Sequence, residues 1–251
     1  MKAMIFAAGL GTRLKPLTDT MPKALVPVDG KPLIEHVACR LRDFGVTEAV
    51  VNVHHFADML EDWTKTQDIM PMKVSDEREQ LLDTGGGILN AKGLLQDQEH
   101  FLVHNVDIIS NLDIDSLAGS MPADALATLA VSDRKTQRYL LFAPETMRLV
   151  GWVNRATGQV RSPYPDIDVD KCVAMAFSGI QMVSRDIFTP MEEYVNRRLL
   201  SEKAGARKFS IIDFYLSVCH IHSIYGMVAE GLDLVDVGKM ETLSLVSGKN
   251  A

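Results

Sequence analysis

Two hydrophobic periods alternate through residues 1–110, and this alternation constrains the fold more than any other feature of the chain. Lys2–Ala7 is a short, nearly continuous apolar run that stops at Gly9, the pattern of a buried strand. Leu33, Val37, Leu41 and Phe44 then recur at helical spacing, with Pro32 in the first turn and Gly45 as the stop. The pattern predicts a strand at Glu48–Val53, a helix at Ala57–Lys65, a strand at Met72–Val74, a helix at Gly85–Leu95 and a strand at Phe101–Val103. Such alternation predicts an α/β fold with mainly parallel strands. The second half is less regular. Strands are expected at Leu126–Val131, Tyr139–Phe142, Leu149–Asn154 and Phe177–Val183, with Thr157-Gly158 as a turn. Helices are expected at Arg185–Ser201 and Ile211–Cys219, then short strands at Tyr225–Val228 and Leu232–Val235. No internal repeat and no linker rich in Pro, Gly or Ser divides the chain, so residues 1–251 are expected to form one domain.

Charge narrows the partners. The 251 residues carry a net charge of −7, which disfavours general nucleic-acid binding. Residues 1–31 run the other way: Lys2, Arg13, Lys15, Lys23 and Lys31 face only Asp19 and Asp29. A basic segment on an acidic chain points either to a local anion site or to chance clustering. Hydrophobic residues make up 47%, enough for a sizeable core, yet no run approaches the ~18 apolar residues of a membrane span. Met1–Ala8 has no small-residue cleavage site after a long apolar core, so no signal peptide is expected. Cys39, Cys172 and Cys219 are widely spaced and odd in number, as for reduced thiols in a cytoplasmic protein.

The strongest local feature is Ala7-Ala8-Gly9-Leu10-Gly11-Thr12-Arg13-Leu14, directly after the first strand. Glycines there let backbone amides turn toward a phosphate, and missing side chains permit close approach. It is not a dinucleotide loop: Leu14 stands where the third glycine belongs, and His54-His55 end the second strand where a ribose-binding acid is needed. No Walker A string occurs either. Arg13 and Lys23, ten residues apart around the turn, are placed to converge on a polyphosphate. Gly9 and Gly11 alone would equally suit a tight turn beside solvated cations.

Gly9–Arg13, with Pro16, Thr18 and Pro22-Lys23 behind it, resembles the opening signature of the sugar-1-phosphate nucleotidyltransferases, the nucleoside-diphosphate-sugar pyrophosphorylases. The resemblance implies the nucleotide-diphospho-sugar transferase fold, Rossmann-like with three α/β/α layers and a mixed, mainly parallel central sheet, with a nucleotide-binding half at 1–110 and a sugar-binding half at 111–251. It implies that Arg13 contacts the β/γ-phosphates of a nucleoside triphosphate and Lys23 the α-phosphate, with Ala8, Gly9, Gly11 and Thr12 around the nucleotide. Leu82-Asp83-Thr84-Gly85-Gly86-Gly87-Ile88 resembles the segment that packs on the base, which assigns Thr84, Gly85 and Gly86 to the nucleotide; helix-start amides here could also help hold an anion. Glu77 either accepts from a base N–H or is solvated. Asp107 in Asn105-Val106-Asp107 ends a predicted strand, and Asp236 lies in Val235-Asp236-Val237-Gly238. By resemblance both hold Mg²⁺, for which a carboxylate is a good ligand; a turn or cap role is the plain alternative. Val106 and Lys239 depart from the family's usual Gly and Thr.

Phe177-Ser178-Gly179-Ile180 resembles the segment where a glycine lies beside the sugar, so Gly179 is assigned there. The family's Glu-Lys pair for the sugar phosphate has no counterpart, and Arg138 is the candidate replacement. The implied reaction joins a nucleoside triphosphate and a sugar 1-phosphate into a nucleoside-diphosphate sugar and pyrophosphate. The chain most resembles N-acetylmuramate-1-phosphate uridylyltransferases, with short mannose- or heptose-1-phosphate guanylyltransferases nearly as close. A nucleotide-sugar-binding regulator without turnover is the alternative of another class, and a monomer or homodimer is expected.

Overall fold

The computed structural model describes residues 1–201 and 205–247. Strands are β1 (Lys2–Phe6), β2 (Pro27–Val28), β3 (Lys31–Pro32), β4 (Glu48–Val53), β5 (Met72–Asp76), β6 (His100–Asn105), β7 (Ile108–Ser110) and β8 (Ala125–Ser132). They continue as β9 (Arg138–Phe142), β10 (Leu149–Asn154), β11 (Gln159–Arg161), β12 (Val173–Ser184), β13 (Ser223–Val228) and β14 (Leu234–Asp236). Helices are α1 (Leu33–Asp43), α2 (Ala57–Thr66), α3 (Asp83–Asn90), α4 (Lys92–Leu95), α5 (Ile114–Gly119), α6 (Phe188–Leu200), α7 (Ile211–Val218) and α8 (Met240–Ser247).

Ten strands form one mixed sheet. Its first half is the parallel block β5-β4-β1-β6, as the alternating periods require. β12 runs antiparallel to β6 and carries the sheet into the second half. Its first residues pair with β9 and its later ones with β6 and β8. Beyond β9, β10 and β11 form antiparallel hairpins, and Gly158 turns the second of them at φ +71°.

Strand alternation explains the three layers. On β1, Ala3 and Ile5 face the core containing Leu33, Val37 and Leu41 of α1 and Leu60 of α2. Met4 between them faces the opposite core, with Ile88 of α3, Met191 and Val195 of α6, and Phe214 and Val218 of α7. β4 repeats the pattern, Val51 on one side and Val50 on the other, and so does β6 with Leu102 and Phe101. Both faces of the sheet are therefore covered by helices.

Several boundaries differ from the sequence reading. The helix expected over Gly85–Leu95 is broken at Ala91 into α3 and α4. The strand expected at Phe177–Val183 extends to twelve residues, and the final strand begins at Leu234. The short strand β7 was not foreseen. It pairs antiparallel with β14, placing Asp236 opposite Ile108. None of the helices among the described residues is long and apolar enough to cross a membrane.

Candidate active site

The glycine-rich loop leaves β1 at the carboxyl end of the parallel block, where open α/β sheets bind ligands. Asn52, buried on β4, braces its start: its Oδ1 accepts from the amides of Ala7 (2.7 Å) and Ala8 (3.3 Å). Asn52 Nδ2 donates to Glu77 Oε1 at 2.7 Å, and Glu77 Oε2 accepts from the Leu82 amide at 2.9 Å. Asn52 thus ties the loop to the segment before α3. Glu77 is not solvated: it is only 3% exposed, and burial pushes its carboxyl above the ordinary value. Both of its oxygens serve the fold, so it shapes the pocket wall. The signal for Asn52 was an amide ending the apolar string Glu48–Val53, and sequence reasoning passed over it.

Gly11 is left-handed, at φ +64°, and a Cβ there would stand 2.7 Å from Thr18 Cγ2 and 3.0 Å from Lys23 Cβ. The Thr18 hydroxyl donates to the Gly11 carbonyl at 2.9 Å. This close approach brings Lys23 beneath the loop. The amides of Gly9, Leu10, Gly11, Thr12 and Arg13 have no acceptor among the described residues, and Arg13 is exposed with no ion-pair partner among them. Free amides beside an unpaired cation suit an anion.

Lys23 and the two aspartates meet at Gly238. A Cβ on that glycine would lie 2.8 Å from Asp107 Oδ2, 2.8 Å from Asp236 Oδ1 and 2.9 Å from Lys23 Nζ. The two carboxylate oxygens are therefore no farther apart than twice that distance, although 129 residues of chain separate them. The β7–β14 ribbon makes the meeting possible. Asp107 directly precedes β7, Asp236 ends β14, and the Val237 amide donates to the Asp107 carbonyl at 2.9 Å. The Gly238 amide donates to Asp236 Oδ1 at 2.9 Å. Lys23 Nζ forms an ion pair with Asp107 Oδ2.

This donor set fits a hard divalent cation. Two carboxylates converge on one point, a cationic ammonium already stands against one of them, and no third His, Cys, Asp or Glu joins the group among the described residues. Mg²⁺ takes one or two carboxylates and completes its shell with water and substrate phosphates.

Asp107 and Lys23 line a cleft of about 400 Å³ with Phe6, Ala8, Gly9, Asn52, Glu77, Leu81, Asp83, Thr84, Asn105, Val106 and Lys208. Lys208 was not foreseen, because its approach depends on the chain returning after α6. Gly85 and Gly86 do not line this cleft. A Cβ on Gly85 would strike the Phe209 ring at 2.4 Å, and one on Gly86 the Arg207 carbonyl at 2.2 Å. Both amides donate to the Phe209 carbonyl, at 2.9 and 3.2 Å. The expectation that these amides hold an anion is therefore corrected: they seat residues 207–209. Thr84 stays at the cleft, and its Oγ1 accepts from the Ile211 amide at 2.9 Å.

Gly179 has φ +80° and sits where the β12–β8 register shifts; a Cβ there would stand 2.7 Å from Asn105 Nδ2. It therefore borders the cleft through Asn105. Arg138 lies apart, in a second cleft with Arg134, Trp152, Arg161 and Phe177.

The molecule is thus a three-layer α/β fold with a loop of free amides, two cations and paired aspartates at the strand ends. Residues 2–139 match the Nucleotidyl transferase family, and the chain belongs to it. It is similar to N-acetylmuramate alpha-1-phosphate uridylyltransferase of Caulobacter vibrioides, at 50% identity over 111 residues, 43% of this chain and 46% of that one. The protein of the same name from Neisseria meningitidis is 41% identical over 134 residues, 51% of this chain and 58% of its own. The chain thus spans about half the length of the curated relatives it matches. Its fold is that of HddC from Yersinia pseudotuberculosis, with a TM-score of 0.72 at 22% identity over 98% of this chain and 97% of that one.

Proposed function

We propose that this protein is a sugar-1-phosphate nucleotidylyltransferase, with UTP and N-acetylmuramate 1-phosphate as the favoured pair. The observation that carries the reading is the convergence of Asp107, Asp236 and Lys23 beside the loop of free amides. The uridylyltransferase relatives favour this pair over a guanylyl donor with mannose or heptose 1-phosphate. An intact set of charged groups argues against a regulator without turnover.

An oxygen of the sugar phosphate attacks the α-phosphorus in line; that P–O bond forms as the bond to pyrophosphate breaks. The nucleophile is already an anion at neutral pH, so no general base is needed. The obstacle is bringing two polyanions together. Asp107 and Asp236 would hold Mg²⁺, which when bound would supply positive charge to offset the charge of the phosphates. Lys23 neutralises the α-phosphate, and Arg13 with the amides of Gly9–Thr12 holds the leaving pyrophosphate. Asn52 and Glu77 keep the loop in place, and Thr84 borders the nucleoside.

A matrix of four nucleoside triphosphates against several sugar 1-phosphates with Mg²⁺, read as pyrophosphate release, tests the reading. UTP with N-acetylmuramate 1-phosphate is expected to give the highest kcat/KM. Asp107→Asn is expected to lose roughly 10²–10³ in rate with its thermal unfolding unchanged. No release from any pair, or an Asp107→Asn enzyme as fast as the parent, refutes it.

A further inference from the structure

The second cleft, about 350 Å³, is walled by Arg134, Arg138 and Arg161, with Asp213 as its one carboxylate. Three guanidinium groups around one pocket are unexpected on a chain of net charge −7. Two of them are held in place. Arg134 Nη2 donates to the Phe177 carbonyl at 2.9 Å, and Arg161 pairs with Asp213 at 2.8 Å while lying over the Trp152 ring. Arg138 is exposed, and its guanidinium meets no carboxylate among the described residues. One acid against three cations leaves the pocket cationic.

Two segments of chain run from this cleft to the active-site cleft, although no residue lines both. Phe177 lines it, while Gly179, two residues along β12, abuts Asn105 of the other. Ser210 and Ile212 line it, while Lys208 lines the other and the Ile211 amide reaches Thr84. A substrate with its reacting phosphate near Lys23 and Asp107 could extend past these segments toward the arginines. The reacting phosphate cannot itself account for them, because Lys23 and the carboxylate pair are in the other cleft.

We propose that Arg138, with Arg134 and Arg161, binds a second anionic group carried on the sugar, a carboxylate or a phosphate, and so selects acidic sugar 1-phosphates. This rests on the nucleotidylyltransferase reading and names its substrate class. Arginine forks match carboxylate and phosphate oxygens two at a time, and Trp152 offers an apolar face beside them.

The test is calorimetric binding to the full chain, with Mg²⁺, with and without a non-hydrolysable UTP analogue. The probes are N-acetylmuramate 1-phosphate, glucose 1,6-bisphosphate and N-acetylglucosamine 1-phosphate, which has neither extra acid. At least one acidic probe is expected to bind about 10–100-fold more tightly than the neutral one, and the first two probes separate carboxylate from phosphate. Arg138→Gln is expected to erase that preference and leave the neutral probe's affinity within about twofold, while Arg138→Lys keeps part of it. Equal or absent binding of the acidic probes overturns the proposal, as does a preference that survives in Arg138→Gln. Arginine-dependent binding without pyrophosphate release from any pair would leave this site standing and remove the reaction instead.

Discussion

At the scale of single residues, Gly238 and Asn52 show two different reasons for a side chain's size. Gly238 is small because three charged groups occupy the space a methyl would take. Those neighbours are the ends of side chains rather than backbone, so they can shift although they are hydrogen-bonded and ion-paired. Gly238→Ala is therefore expected to keep the fold and spread the carboxylates, raising the Mg²⁺ concentration for half-maximal turnover several-fold; an unchanged metal titration would refute this. Asn52 is polar because it must satisfy two backbone amides and a buried carboxylate at once. Asn52→Leu leaves them unpaired at about 1–3 kcal/mol for each lost partner, and the urea midpoint should fall accordingly. Arg13, Lys23, Asp107 and Asp236 could be named as candidates because the strings that hold them resemble a family's motifs. Asn52 was not, because one amide in an apolar strand carries no local signature of the loop it serves.

Among elements, the informative case is α3. Its three glycines read naturally as a platform for a base, since a local string shows missing side chains but not what fills the gap. Residues 207–209 fill it at Gly85 and Gly86, while Glu77, Asn52 and Phe6 fill it at Gly87, and contacts so distant in sequence leave no trace in local periodicity. The β7–β14 ribbon escaped for the same reason: two three-residue strands are too short to carry a period. The long segments of the parallel block were legible because each strand and helix repeats its pattern over several turns or pleats. Gly86→Ala forces a methyl against the Arg207 carbonyl, which as backbone cannot swing aside. We expect a loss of about 1–3 kcal/mol by thermal unfolding and faster amide exchange at Phe209, Gly85 and Gly86. Full protection at those amides would show that 207–209 absorbs the methyl without lifting.

For the molecule as a whole, β6 joins the parallel block to the antiparallel one, with β1 on one edge and β12 on the other. His104 lies within it, 1% exposed, and its Nδ1 is 2.8 Å from the Asn105 carbonyl, which makes Nδ1 the protonated nitrogen. Burial, helped by the charge of Arg40, lowers its pKa from 6.5 to about 4 against the opposing pull of that carbonyl and of Asp107. Above pH 6.5 the ring is neutral folded or unfolded, and its contribution to stability is constant. As the pH drops from 6.5 toward 4, the unfolded chain binds a proton that the native sheet refuses, so stability is lost across that window. Because the strand is central, the loss should register as global unfolding, with all probes moving together. In His104→Gln, which keeps a donor for the Asn105 carbonyl, this proton uptake is gone. The parent's unfolding free energy minus the variant's should then be flat above pH 6.5 and fall steadily below it, whichever protein is more stable at neutral pH. A difference that stays constant down to pH 4 would mean that the native ring titrates freely, which a sheet closed by helices on both faces does not allow.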